Sequence, residues 1–340
     1  MKKIVQLASL FLFLISNSYV DKKELDKKYL NSGINLTCSE KVPFEDKEKK
    51  AINRLLEIGF SSIFVNPSYY QDSLNSNEIN QNSRFDKKHL DDLIDYANDN
   101  HIRIWIKPLI NTSDGFPRTK ILPEDIEKWT NNYDNIILEL TKTAINKSVE
   151  GLIIGCEIDN ILENYPFVFN NLISKIRRSG YEGKLGYSIG FSSLKDTEKI
   201  EILNELPLDF IGLDFYVSMH NNDKYEVKNY FERIKNVSNK PLIITEFGYR
   251  SVEKGNKWPM FNYKLNGKKD EDVQNQSIKN FYDALLITNN IEGVIIWVTD
   301  NSLYYKDVLE KNAQLGYSPF NKKAQKNLIE FNQKRYNKVK

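Results

Sequence analysis

Apolar positions along this chain fall into two alternating patterns, and the alternation predicts the architecture. Short, nearly continuous apolar runs recur as GINLTCS from Gly33, SSIFVNPS from Ser61, IRIWIKPLI from Ile102, GLIIGCE from Gly151, KLGYSIG from Lys184, LDFIGLDFYV from Leu208, PLIITEFGY from Pro241 and GVIIWVTD from Gly293. Runs of this length without a polar face read as strands buried on both sides, as in a parallel sheet. Between them lie charged stretches with helical spacing, among them FEDKEKKAINRLLEIG, FDKKHLDDLIDYANDN, PEDIEKWTNNYDNIILEL and DVQNQSIKNFYDALLI, and a last helix is predicted near NKKAQKNLIEFNQKRY. Several open on Pro or acidic residues, which suit a helix N-terminus. Eight strand-helix units in about 300 residues fit an α/β fold of the closed (β/α)8 barrel type, a TIM barrel in a single domain, better than an open doubly wound sheet.

Two of the runs end in a carboxylate: Glu157 closes GLIIGCE and Glu246 closes PLIITEF. A carboxylate at the end of a buried strand is costly unless partners hold it, and barrel enzymes place their chemistry at these strand ends. One such Glu is as well explained by a loop or helix cap, but the pair suggests an acid/base and a nucleophile. On the seventh predicted strand the alternation Leu242, Ile244, Glu246 puts the carboxylate on the side of two apolar residues, and the expectation is that all three face the barrel axis. Asp214 and Tyr216 alternate with Phe215 and so face one way, as site residues or as an ordinary polar cap. Trp297 and Asp300 fall at the end of the eighth run. Trp105, inside the third, reads as packing, and Asp159 and Asp300 serve equally well as loop hydrogen-bonding groups.

Composition narrows the function classes. The 340 residues carry a formal charge of +2 with both signs interspersed, which gives no field for nucleic acid or an anionic membrane. The chain lacks a Walker or Rossmann glycine fingerprint. His89, His101 and His220, with Cys38 and Cys156, have no metal-ligand spacing, so neither a metal nor another cofactor is expected. The two cysteines fall on the first and fourth predicted strands, too far apart to bond, and read as free thiols. Residues 1–18 begin with Lys2 and Lys3, continue through an apolar core from Ile4 to Ile15 and end on small residues, the layout of a secretory signal. An uncleaved anchor is the alternative. Residues 19–32 then form a lead-in and 33–338 the barrel.

Taken in order, IFVNPSYYQ, IWIKP, LPEDIEKWTNNYDNII, IIGCEI, DFIGLDFY and PLIITEFGYRS, with a Trp on the eighth strand, resemble glycoside hydrolase family 113, the β-mannanase-like barrels. That family sits within a clan of retaining glycosidases whose glutamates close the fourth and seventh strands. The resemblance spans nearly all of the chain after residue 18, and TEFGYRS is its most specific piece. It implies Glu157 as general acid/base, Glu246 as nucleophile, Tyr216 as the hydroxyl that bonds the nucleophile, and Trp297 as the aromatic floor beneath the sugar. Lys107 and Arg250 are the cations available to keep Glu246 ionised, and Asp214 and Asp300 complete the substrate-binding candidates. The implied protein is an exported, secreted or envelope-bound retaining glycosidase. It works as a monomer without cofactor on a β-linked oligo- or polysaccharide, with β-1,4-mannan favoured. Two departures bear on substrate more than on reaction: Cys156 stands where the clan usually has Asn, and Leu109 and Asn111 replace the His and acid that commonly follow Lys-Pro. A carbohydrate-binding protein that keeps the barrel without catalysis, or an interaction protein using its outer surface, are the competing readings.

Overall fold

The computed structural model describes residues 31–38, 45–80, 86–195, 197–260, 267–288, 291–297 and 315–337. Among them the strands are β1 (Asn31–Cys38), β2 (Ser62–Gln71), β3 (Arg103–Ile106), β4 (Leu109–Thr112), β5 (Gly151–Cys156), β6 (Lys184–Gly190), β7 (Phe210–Asp214), β8 (Leu242–Phe247) and β9 (Ile291–Ile296). All pair in parallel, and a β1–β2 pairing closes the sheet on itself. The nine strands make eight staves. The run expected as one third strand breaks at Lys107-Pro108, because Pro108 has no N–H for the ladder. The register carries through the break, with Ser62 opposite Arg103 and Ser68 opposite Leu109.

The helices around the barrel are α1 (Asp46–Ile58), α2 (Lys87–Asp99), α3 (Ile126–Asn146), α4 (Asp159–Asn164), α5 (Pro166–Arg178), α6 (Glu198–Glu205), α7 (Lys224–Val237), α8 (Glu271–Leu286) and α9 (Gln325–Asn337). Their starts reflect the chemistry of orphan N–H groups. The side chains of Asp86, Asp125, Asp223 and Asp270 each accept a bond from the first turn, and Glu45 forms a capping box with Glu48. No helix among the described residues is long and apolar enough to cross a membrane. Residues 1–18, and with them the expected signal, lie outside the described residues.

The core is two concentric layers. Outward strand residues such as Ile63, Ile104, Ile154, Ile211 and Ile244 pack with the helices. Inside the barrel, Phe64, Trp105, Ile153, Phe210, Ile243 and Ile295 form a separate apolar plug. Trp105 stacks on Phe64 with ring centroids 5.1 Å apart and meets the edge of Phe210 at 5.5 Å. Room for these rings comes from glycine. A Cβ on Gly151 would sit 2.3 Å from Trp105, and one on Gly186 would sit 2.2 Å from Phe210. Small residues facing large ones are how a barrel interior fills without voids.

Candidate active site

Above the apolar plug the barrel interior turns polar. Asn35 from β1 donates to the Thr245 carbonyl at 2.9 Å, and Asn66 from β2 donates to Asn35 Oδ1 at 3.1 Å. Lys107, at the β3–β4 break, is fully buried and donates to Asp214 Oδ1 at 2.8 Å and to Glu246 Oε1. Asp214, closing β7, also accepts from Thr245 Oγ1 at 2.8 Å and from the Cys156 thiol at 3.5 Å. Thr245 Oγ1 in turn accepts from Ser188 on β6 at 2.9 Å. Buried charge survives only when paired and hydrogen-bonded, and this network supplies both.

Glu246 reaches the axis by a route the alternation did not predict. Leu242 and Ile244 belong to the outer layer and Ile243 to the plug, while Phe247 stacks outward on Phe281 of α8. Thr245 and Glu246 therefore both point inward, so the expectation that Leu242 and Ile244 share the axis side with Glu246 is corrected. The reason is a bulge: the β7–β8 register shifts between Leu213 and Asp214, and the β8–β9 register between Ile244 and Phe247. One extra residue in a strand re-aims the side chains beyond it. On β7 the alternation holds, with Phe215 stacked outward on Phe231 of α7 and Asp214 and Tyr216 turned to Glu246 and its cation.

Glu157 is re-aimed more sharply. The β5–β6 register shifts between Ile153 and Cys156, and Glu157 itself has φ +54°, a left-handed conformation that only a few per cent of non-glycine residues adopt. Its N–H donates to the Ser188 carbonyl at 2.8 Å. Strain of this kind concentrates at functional sites.

The two carboxyls sit in unequal surroundings. Glu246 is 5% exposed and takes two donors, Lys107 and the Tyr216 hydroxyl at 2.8 Å. Burial and Asp214 raise it above its ordinary value, and Lys107 and then Arg118 pull it back. The Glu157 side chain keeps 21% exposure and lies beside Arg118, whose Nη1 stands 3.6 Å from it. Burial first, then the charges of Asp214 and Glu246, push it up to about 8 against the pull of Arg118 and Lys107. Burial also holds the Cys156 thiol well above its ordinary value, and it is a buried free thiol.

Arg118 is the member that the sequence pattern did not reveal. It lies on a short 3-10 turn after β4, where no periodicity marks it. Its Nη2 donates to Asn111 Oδ1 at 2.6 Å and its Nη1 to Cys156 Sγ at 3.7 Å. The two departures from the family pattern, Asn111 and Cys156, thus meet on one guanidinium. Asn35 and Asn66 leave a fainter mark in the sequence, an amide inside an apolar run.

The remaining candidates sit around this centre. Trp297 is partly buried against the plug, and its backbone N–H donates to the Phe247 carbonyl at 2.7 Å. Arg250 is 6% exposed, and its charge acts on Tyr317. Asp159 is taken up by the Tyr187 hydroxyl at 3.2 Å and the Gly190 N–H at 3.3 Å, a structural pairing. Asp300 lies outside the described residues. Ligand atoms of Cys156, Glu157 and Asp214 come within 4.8 Å of one another. A cation would suit them, yet Lys107 and Arg118 already stand among them and answer their charge, so the set does not fit a resident metal.

The fold recurs in known proteins. A GH113 β-1,4-mannanase structure superposes with a TM-score of 0.77 at 20% identity, covering 90% of this chain and 99% of that one. A GH113 β-mannanase from Alicyclobacillus acidocaldarius in complex with ManMIm gives 0.76 at 15% identity over 92% and 99%. A β-glucuronidase from an uncultured Clostridium gives 0.61 at 14% identity over 91% of this chain and 52% of that one. No curated protein matches in sequence. The family model of Glycoside Hydrolase Family 113 matches residues 38–322, most of the chain, and spans both strand-end glutamates; the protein belongs to that family.

Proposed function

We propose that this glycoside hydrolase cleaves a β-linked mannan-type glycan by double displacement, with Glu246 as nucleophile and Glu157 as general acid/base. The observation that carries the reading is the inequality of the two carboxyls. Glu246, gripped by a buried ammonium and a phenol, is prepared to act ionised. Glu157, raised to about 8, holds a proton at neutral pH and stays open to solvent on one side. A retaining mechanism needs one carboxyl ready to attack and one able to hold and give a proton, and the unequal partners of these two support that division. In the first step Glu246 attacks the anomeric carbon while Glu157 gives its proton to the departing oxygen. Consuming the Glu246 charge then lowers Glu157, which takes a proton from the water that releases the sugar. β-1,4-mannan is favoured by the named activity of the GH113 structures that share this fold. Tyr216 and Lys107 orient the nucleophile, and Trp297 floors the sugar site.

The roles separate in mutants. Glu246→Gln abolishes the covalent glycosyl-enzyme seen by mass spectrometry. Glu157→Gln slows cleavage of poor leaving groups far more than activated aryl ones, which depart without a proton. Azide gives the β-glycosyl azide with Glu157→Ala and the α-azide with Glu246→Ala, and swapped products would reverse the assignment. Residues 1–18 direct export in this proposal. N-terminal sequencing of secreted protein is expected to start near residue 19, and an intact Met1 in membranes would identify an anchor.

A further inference from the structure

Asp159 is 1% exposed, and the two-glutamate chemistry does not use it. It is not the cap of α4 either, since Ile158 holds the N-cap position and makes no side-chain bond there. Its carboxylate instead accepts from three donors on the next stretch of barrel, the end of β6 and the 3-10 turn that follows it. These are the Tyr187 hydroxyl at 3.2 Å, the Gly190 N–H at 3.3 Å and the Ser193 hydroxyl. Burial raises Asp159 to about 6 against the pull of these donors, which leaves it ionised at neutral pH. A buried carboxylate with three donors is an expensive group whose removal strands each of them.

The Gly190 bond shows what the group replaces. Glu157 N–H donates to the Ser188 carbonyl at 2.8 Å. In a straight parallel ladder the N–H two residues further along β6, that of Gly190, would then donate to the Glu157 carbonyl. Glu157 has φ +54°, so its peptide turns out of the ladder. Asp159 Oδ2 takes the Gly190 N–H in its stead. The left-handed turn and the side chain that answers it are thus two residues apart in sequence and complementary in hydrogen bonding.

Both carboxyls press on the same point of β6. A Cβ on Gly190 would stand 3.1 Å from Asp159 Oδ2 and 3.1 Å from Glu157 Oε1. Whatever fixes Asp159 against Gly190 therefore also fixes the space in which the Glu157 carboxyl sits.

We infer that Asp159 is a positioning residue for the acid/base: by taking the Gly190 N–H it holds Glu157 in its left-handed conformation and keeps its carboxyl aimed at the leaving oxygen. The inference rests on the role proposed for Glu157.

The test compares kcat/KM on phenyl β-mannobioside, whose leaving group needs a proton, with that on dinitrophenyl β-mannobioside, whose leaving group departs without one. Glu157→Gln sets the pattern by slowing the first far more than the second. Asp159→Ala is expected to follow it, with a roughly thirtyfold loss on the phenyl substrate, as for a catalytic group moved by a fraction of an ångström, and a loss under about twofold on the other. Asp159→Asn, which offers an oxygen to the Gly190 N–H and an N–H to the Tyr187 hydroxyl, recovers most of that loss. Tyr187→Phe removes one donor and little volume; it lowers the phenyl rate about threefold and carries the test if Asp159→Ala does not fold. In a Glu157→Gln background Asp159→Ala costs nothing further on the phenyl substrate, because it acts through the acid. Unchanged rates, equal losses on both substrates, or full additivity with Glu157→Gln overturn the positioning role and leave the two glutamates in place. A parent inactive on both substrates, or Glu157→Gln slowing both alike, overturns the catalytic assignment, and the role of Asp159 falls with it.

Discussion

At the scale of single residues, the site holds two carboxyls in unequal surroundings inside one barrel, Glu246 against a buried ammonium and Glu157 beside a guanidinium. Glu157 lies about 8 because burial and the charge of Asp214 outweigh Arg118 and Lys107, so with Glu157 in the proposed role of acid kcat/KM is expected to fall as pH rises past that value. Arg118 favours the ionised form of Glu157, hence its removal raises Glu157 further. The basic limb of the pH profile should move to higher pH in Arg118→Met and return part of the way in Arg118→Lys; a limb that stays put would show that the 3.6 Å contact does not act on the acid. The same shift has a cost in stability. With its affinity raised in the folded state, Glu157 keeps a proton that the unfolded chain releases, so stability falls as pH rises from the ordinary carboxylate range toward 8. Glu157→Gln lacks that slope. Its melting temperature relative to the parent should be near parity at pH 4 and higher by a few degrees at pH 8, read by calorimetry across the range. A difference independent of pH would argue against the raised affinity.

At the scale of elements, bulges and glycines decide what the strands present. The β8 irregularity turns Thr245 and Glu246 inward together, so Asp214, Lys107 and Glu246 meet in one network although strict alternation would have sent one of them to the helices. Beneath it, Gly151 gives Trp105 its space. Gly151→Ala is therefore expected to destabilise the fold by about 1–3 kcal/mol through overpacking, measured by urea unfolding. Trp105→Leu in the same chain should recover part of that loss, giving a coupling in the double-mutant cycle. Strictly additive effects would mean that the two do not press on each other.

At the scale of the whole molecule, the eight staves, their order and the closed parallel barrel were legible in the chain, because buried strands and amphipathic helices leave periodic marks that survive without any contact being known, whereas the family showed only through the resemblance of ordered pieces such as TEFGYRS. Strand-end position pointed to Glu157 and Glu246 for the same reason: a charge closing an apolar run stands out locally. The Lys107-Pro108 break could have been read from the missing N–H, and was not. Aim and company were decided by the tertiary structure alone. Arg118 enters from an aperiodic loop, Asn111 and Cys156 become partners through it, and Glu246 turns inward by a bulge that depends on how β7, β8 and β9 register. Periodicity is a property of neighbours in sequence and can be read along one strand. Electrostatic environment is a sum over neighbours in space, and only closure of the barrel brings those together.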